Sequence, residues 1–310
     1  SPDSSALFGP VPELKNYFCC CGIIPGFSQS GGLGLMSAQW IIDGEPEYDM
    51  FPWDLARYGN WANKAFTKER VRDQYGNRFK IHMPYEERDA GRPLKTRPVY
   101  QKQKELGCVF GLNYGWEHPL WFAPEGVEPK EDYGFKRQDW WHHVKSECDN
   151  LRTNVGIVDV SNFGKYEVKG QGASQWVDKI IANNVPKEIG RSCLTPLIGI
   201  RGGVAGDFTV TKLDDEHFFI VGSGMAERYH IRFFEMIERP NSVDFQSLTE
   251  EMCGFNVAGP KSRTLLSRMT QEDLSNENWK FMRSRSITIA GIDAIAIRVS
   301  FTGDLGWEIY

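Results

Sequence analysis

From residue 135 to the end of the chain, strand-like and helix-like segments alternate at short, regular spacing, and this pattern restricts the possible architecture most strongly. DWWHHVKSECDNLRT has helical spacing and leads into two strand patterns, VGIVDVS and GKYEVKG, with a further helix pattern at GASQWVDKIIANN. FTVTKLDD and HFFIVGS alternate apolar and polar residues on either side of an Asp-rich turn, as a hairpin does, and AERYHIRFFEMIE returns to helical spacing. FNVAGPKSRTLLSRM is a strand-to-helix step in which Pro260 stands where a missing N–H costs nothing. SITIAGIDAIAIRVSFTGDLGWEIY closes the chain as two apolar strands joined by a glycine turn. The pattern predicts an α+β domain that ends on a strand.

Upstream the patterning is looser. The segment EGVEPKEDYG is the best linker and predicts a domain boundary near 125–134. Before it, NKAFTKERVRDQYGN has helical character, and the Pro- and Arg/Lys-rich KIHMPYEERDAGRPLKTRPVY reads as an extended connection. The N-terminal strand pattern YFCCCGII runs into GFSQSGGLGLMSAQWIIDG. Here Gly32, Gly34 and Ser37 nearly spell the G-x-G-x-x-G/A phosphate fingerprint before a helix carrying Leu35, Met36, Trp40 and Ile41. Two readings stay open at this point: a nucleotide-phosphate loop, or a glycine turn that packs a strand tightly against a helix.

At 310 residues the chain is long enough for roughly two domains. Its net charge of -5 is small and interspersed, which disfavours nucleic acid and other polyanionic partners. No run approaches the roughly 18 apolar residues of a membrane span, and no signal-peptide pattern opens the chain, so the expectation is a soluble, non-exported protein. Seven cysteines, an odd number without a CxxC, point to a reducing compartment and to thiols that pack in the core. The triplet Cys19, Cys20 and Cys21 is a poor disulfide layout because neighbouring strand residues point to opposite faces. His142 and His143 are adjacent on a helix and make a poor metal pair, and Trp116, Trp121, Trp140 and Trp141 suggest a packed junction. No P-loop and no assignable nucleophile triad occurs.

Six ordered strings, GRPLKTRPVY with LGCVFGLNYGWEHPLWF, then VGIVDVSNFGKYEVKG, RGGVAGDFTVT, FNVAGPKSRTLL and SFTGDLGWEIY, resemble the dimethylglycine and sarcosine dehydrogenases. The resemblance covers nearly the whole chain. It implies the C-terminal end of a glucose-oxidase-type FAD domain at 1–58, a central oxidoreductase segment at 59–130, and at 131–310 an aminomethyltransferase-like, folate-binding α+β domain that is incomplete at its C-terminus. By the same resemblance the chain is an internal piece of a longer polypeptide, lacking the main FAD motif. That polypeptide would oxidise an N-methylated amine with FAD and pass the one-carbon unit to tetrahydrofolate, in a bacterial cytoplasm or the mitochondrial matrix; the piece alone would be inactive. The alternatives are a non-catalytic regulatory subunit of the pyruvate dehydrogenase phosphatase type and a glycine-cleavage aminomethyltransferase.

The resemblance also assigns residues. It turns the glycine loop into the closing segment of the flavin domain, with Ser30, Gly31 and Gly32 beside the isoalloxazine ring, where a helix N-terminus favours electron density on the reduced ring. Asp207 in GGVAGDFTV takes the place of the GG-x-x-x-D aspartate beside the reactive nitrogens of tetrahydrofolate, able to steer or relay a proton as they capture the carbon. Glu308 in TGDLGWEIY matches the acid that holds the pterin edge in a bidentate way. Phe301, where the family often has Tyr, offers a stacking surface without a hydroxyl, and Asp304 replaces a Glu.

Overall fold

The computed structural model describes residues 1–300 and 302–310. A short antiparallel pair opens the chain, β1 (Leu7–Pro10) and β2 (Phe18–Cys21), with Phe8 opposite Cys20. It is followed by α1 (Gly26–Asp43), which ends where Gly44 takes the left-handed conformation and donates its N–H to Trp40 O at 3.1 Å. Only a narrow stripe of α1 is buried, Leu33 and Met36, with half-buried Trp40 reaching Phe8 and Phe18. The expected glycine loop is therefore absent: Ser30, Gly31, Gly32 and Gly34 are helical, because Pro25 stands at the N-cap and the helix begins directly after it.

A 3-10 turn at Leu55–Arg57 is capped by Asp54, which accepts Ala56 N–H at 2.8 Å. Asn63 caps α2 (Lys64–Asn77) in the same way, accepting Phe66 N–H at 3.0 Å. Residues 78–99 hold no regular element, as their composition predicts. α3 (Tyr100–Glu105) precedes a hairpin, β3 (Cys108–Asn113) and β4 (Trp116–Phe122), whose two-residue turn sets Tyr114 at φ 48 and Gly115 at φ 85. Positive φ at both turn positions matches the right-handed twist of the strands. The irregular 125–134 segment is tied to this hairpin, Trp121 Nε1 donating to Glu131 at 2.8 Å. Past it, α4 (Trp140–Thr153) lays Trp140 and Val144 on Val109, Trp121 and Ala123, while His143 stacks on Trp121 with ring centroids 5.3 Å apart.

The remaining elements are β5 (Gly156–Asp159), β6 (Gly164–Lys169), α5 (Ala173–Ile180), β7 (Ser192–Ile198), β8 (Val204–Asp214), β9 (His217–Gly222), α6 (Glu227–Glu235), β10 (Asp244–Ser247), β11 (Phe255–Ala258), α7 (Ser262–Leu266), β12 (Ser284–Ile289), β13 (Ile292–Ile297) and β14 (Gly306–Ile309). They build two antiparallel five-stranded sheets, ordered β10-β6-β9-β8-β7 and β12-β13-β14-β11-β5. Residue alternation gives each sheet two faces. In the first sheet Tyr166, Val168, Phe208, Val210, Phe218 and Ile220 pack under α5 and α6. Phe219 and Val221 turn the other way and meet Ile297, Val299 and Tyr310. On the far side of the second sheet Val257, Ile287, Ala296 and Trp307 pack on Leu266, Leu274 and Trp279. The α+β expectation holds, as layers of helices, sheet, sheet and helix. Of the seven cysteines only Cys108 is buried, so thiols as core residues is an expectation the structure corrects.

Candidate functional site

The two carboxylates singled out in the second half face one layer from opposite sheets. In β8, Phe208 and Val210 point to the helices, so Asp207, Thr209 and Thr211 point to the inter-sheet side; Thr209 pairs with Val221 and Thr211 with Phe219. In β14, Trp307 and Ile309 pack outward, so Glu308 and Tyr310 point inward, Tyr310 meeting Phe219 at 5.4 Å between centroids. Asp207 is exposed and lies within the strand, opposite Pro196 of β7, rather than in a turn.

Glu308 is only 7 % exposed. Burial pushes its carboxyl above the ordinary carboxylate range, opposed by the Tyr310 hydroxyl, which donates to Oε2 at 2.9 Å, and by the nearby Asn256 side-chain amide. Asn256 lies directly opposite Glu308 on β11, and its buried side-chain Nδ2 is near enough to the carboxyl to favour the ionised form yet falls outside hydrogen-bond geometry, leaving its donors without a well-formed partner. A buried acid beside an unpaired amide donor is costly unless a ligand completes both. Sequence reading missed Asn256 and Tyr310; the only available signal for Tyr310 was its place two residues beyond Glu308, on the same strand face. Phe301 lies outside the described residues.

Behind Asp207, His230 of α6 is fully buried, and Tyr166 Oη lies 3.2 Å from its Nδ1 while Nε2 is unpaired. Burial pulls the imidazole down to about 4, so it is neutral at pH 7. A Cβ at Gly206 would sit 2.6 Å from His230 Nε2. We expect Gly206→Ala to cost about 1–3 kcal/mol, as overpacking of a tight core does, and to shift the adjacent Asp207. Urea unfolding of the variant checks this, and an unchanged midpoint would refute it. Lys165 of β6 is fully buried too, but on the inter-sheet face, where it is paired with Val221. It donates to Ser161 O at 2.8 Å and Phe163 O at 2.7 Å, and burial, with Arg97 nearby, pulls it down to about 7. It staples the β5–β6 loop.

Two cavities lie between the N-terminal segment and α6, and neither is lined by Asp207 or Glu308. The larger, about 820 Å³, has walls from the N-terminal segment (Tyr58, Trp61), the β3–β4 hairpin (Tyr114, Trp116) and α6 (Glu227, Arg228). The smaller, about 460 Å³, lies between the segment after α1 and the β7–β8 turn. That turn reaches back to α1: Arg201 binds Asp43 at 2.7 Å and Glu45 O at 3.0 Å. Near the flavin-side residues, the free N–H groups of α1 belong to its first turn, so Ser30, Gly31 and Gly32 supply no backbone donors, and Ser30 Oγ donates to Phe27 O at 2.9 Å. That corrects the expected geometry. A Cβ at Gly31, Gly32 or Gly34 would meet nothing within 4 Å, so tight packing within this chain does not explain them either.

Two facing sheets flanked by helices, with an inward acid on a strand of each, define an aminomethyltransferase-type α+β domain. The solved glycine cleavage system aminomethyltransferase T from Bartonella henselae has the same fold, with a TM-score of 0.57 over 70 % of this chain and 53 % of that one, at 22 % identity. The family described as GCVT N-terminal domain matches residues 99–310, and the FAD dependent oxidoreductase central domain matches 43–96. Over its full length the chain is 35 % identical to the mitochondrial dimethylglycine dehydrogenase of Rattus norvegicus, covering 36 % of it, and 29 % identical to the mitochondrial sarcosine dehydrogenase of Homo sapiens, covering 38 %. The chain belongs to the GCVT family, in the fused FAD-oxidoreductase arrangement of the dimethylglycine and sarcosine dehydrogenases. It spans about a third of the length of those relatives.

Proposed function

We propose that this chain is the folate side of a polypeptide that oxidises an N-methylated amine of the dimethylglycine or sarcosine kind with FAD and transfers the one-carbon unit to tetrahydrofolate. The observation that carries it is the buried Glu308 with the unpartnered Asn256 Nδ2 across the ladder. A pterin edge presents an N–H and an NH2 side by side, which a carboxylate accepts together, and the Asn256 amide offers a donor to an acceptor on the same ring. Donors from the ring would favour the ionised carboxylate and reverse the upward push of burial. Asp207, exposed at the same layer, orients the reactive nitrogens and takes or returns a proton while they capture a carbon that bears positive charge.

FAD, when bound, supplies the oxidation of the amine. This chain's part on that side is α1: its first-turn N–H groups, and glycines on an exposed face that cost about 1 kcal/mol each relative to Ala and are not repaid by internal packing. They support close approach of a flat ring from outside the chain. The compartment we infer is the mitochondrial matrix, the dimethylglycine and sarcosine dehydrogenase relatives being named as mitochondrial, or a bacterial cytoplasm, and no helix among the described residues is long and apolar enough to cross a membrane.

The parent enzyme carrying Asp207→Asn is expected to bind tetrahydrofolate nearly as wild type does while transfer slows by about 10²- to 10⁴-fold, the usual worth of a positioned acid–base group. Measuring free formaldehyde against methylene-tetrahydrofolate in the product reads this directly. A product split equal to wild type would remove Asp207 from the transfer step.

A further inference from the structure

The cysteine triplet acquires a meaning that residue-by-residue alternation conceals. Neighbours in β2 point apart, but Cys19 and Cys21 are two residues apart and share a face, with their sulfurs 3.4 Å from each other. Phe18 packs towards Phe8 and Trp40, so these two thiols project from the opposite side of the ribbon. Cys21 is exposed, Cys19 half-buried, and all three cysteines are free.

The spacing discriminates between two fates of such a pair. Strand residues i and i+2 stand roughly 6.6 Å apart at the Cα atoms. That is close to the upper limit of about 6.8 Å for a disulfide, and a direct bond also needs the sulfurs at about 2.05 Å. Both require the strand to bend out of its pairing with Leu7 and Gly9. A single bridging atom needs no such movement. With bonds of about 2.3 Å, the zinc–sulfur length, a right-angled centre holds its sulfurs about 3.3 Å apart and a tetrahedral one about 3.8 Å, and a larger ion widens the pair by only a few tenths of an ångström. The observed 3.4 Å lies between these.

We propose that Cys19 and Cys21 form a two-thiol chelating site for one thiophilic centre, either a soft divalent cation of the Cd2+ kind or trivalent arsenic. Among the described residues no three His, Cys, Asp or Glu side chains converge on a metal position, so the remaining coordination comes from solvent or from the centre's own substituent. Soft thiolates select such centres over Mg2+ or Ca2+. Cys20, on the other face of β2, takes no part. The site uses no residue of the proposed folate pocket.

Phenylarsine oxide is the probe. Two S–H bonds break, two As–S bonds form, the oxygen leaves as water, and arsenic stays trivalent. Under native conditions, intact-mass spectrometry of the wild-type chain should show one phenylarsenic adduct, which Cys20→Ser keeps and which Cys19→Ser and Cys21→Ser each lose. Prior incubation with Cd2+ alone should block the adduct, and Mg2+ should not. Absence of an adduct in wild type, or its retention in either Cys19→Ser or Cys21→Ser, overturns the site. Failure of Cd2+ to block it overturns the cation assignment. Circular dichroism of each variant, expected to match wild type because these side chains are not core, excludes misfolding as the cause of loss.

Discussion

Glu308→Gln is expected to weaken tetrahydrofolate binding by about 10- to 100-fold, corresponding to the ~1.5–3 kcal/mol of hydrogen bonds to a charged group. The same substitution should leave the melting temperature unchanged or raise it. Burial holds the folded Glu308 carboxyl above its ordinary range, so the folded chain keeps its proton to higher pH than the unfolded chain does. Stability from this group is therefore full below the ordinary carboxylate range and is lost as pH rises through the folded value. Gln carries no such loss, and its oxygen still accepts from the Tyr310 hydroxyl. The difference in melting temperature between the two proteins should grow from pH 4 to pH 7. Calorimetric titration with tetrahydrofolate and melts at both pH values separate binding from folding. Equal affinity would dismiss Glu308 as a pterin ligand, and a large fall in melting temperature would make it a structural acid.

Asp54→Ala is expected to have the largest effect on stability. Asp54 is fully buried and accepts Arg232 Nη1 at 3.0 Å and Nη2 at 2.5 Å, while its Oδ1 also caps the 3-10 turn. This pair joins the N-terminal segment to α6, with the Arg232 guanidinium also near the rings of Trp40 at 5.3 Å and Tyr229 at 4.9 Å. Removing one partner of a buried pair leaves the other charge uncompensated, at a cost of about 3–5 kcal/mol. Asp54→Asn keeps the cap and one acceptor and should lose less. Urea unfolding followed by tryptophan fluorescence measures both. A loss under about 1 kcal/mol for Asp54→Ala would show that hydrated Arg232 manages without its partner.

The helices and most strands of residues 140–310 were legible because each has a strong local period. The strands that escaped sequence reading in this half, β7 and β10, are the two edges of one sheet. β7 contains Pro196, which an edge tolerates because its missing N–H need pair with nothing, and β10 is only four residues long. The start of α1 was misplaced for the opposite reason: glycines weaken a helix without forbidding it, and the start signal was Pro25, eight residues before the first buried position, Leu33.

Asp207, Glu308 and the dithiol show the same division. Residue types and ordered motifs, present in the amino-acid sequence itself, determined the family, the α+β class and which acids to suspect. Alternation along β8 and β14 also placed each acid on one of two faces. Which face is covered was decided only by tertiary structure. Glu308 is buried, and its carboxyl raised, because β9, some ninety residues earlier, packs Phe219 against Tyr310. Asn256 becomes its neighbour through a ladder that joins strands about fifty residues apart. Local patterns encode period and propensity, whereas burial, and with it the energy of a charge, depends on which distant surface closes over it.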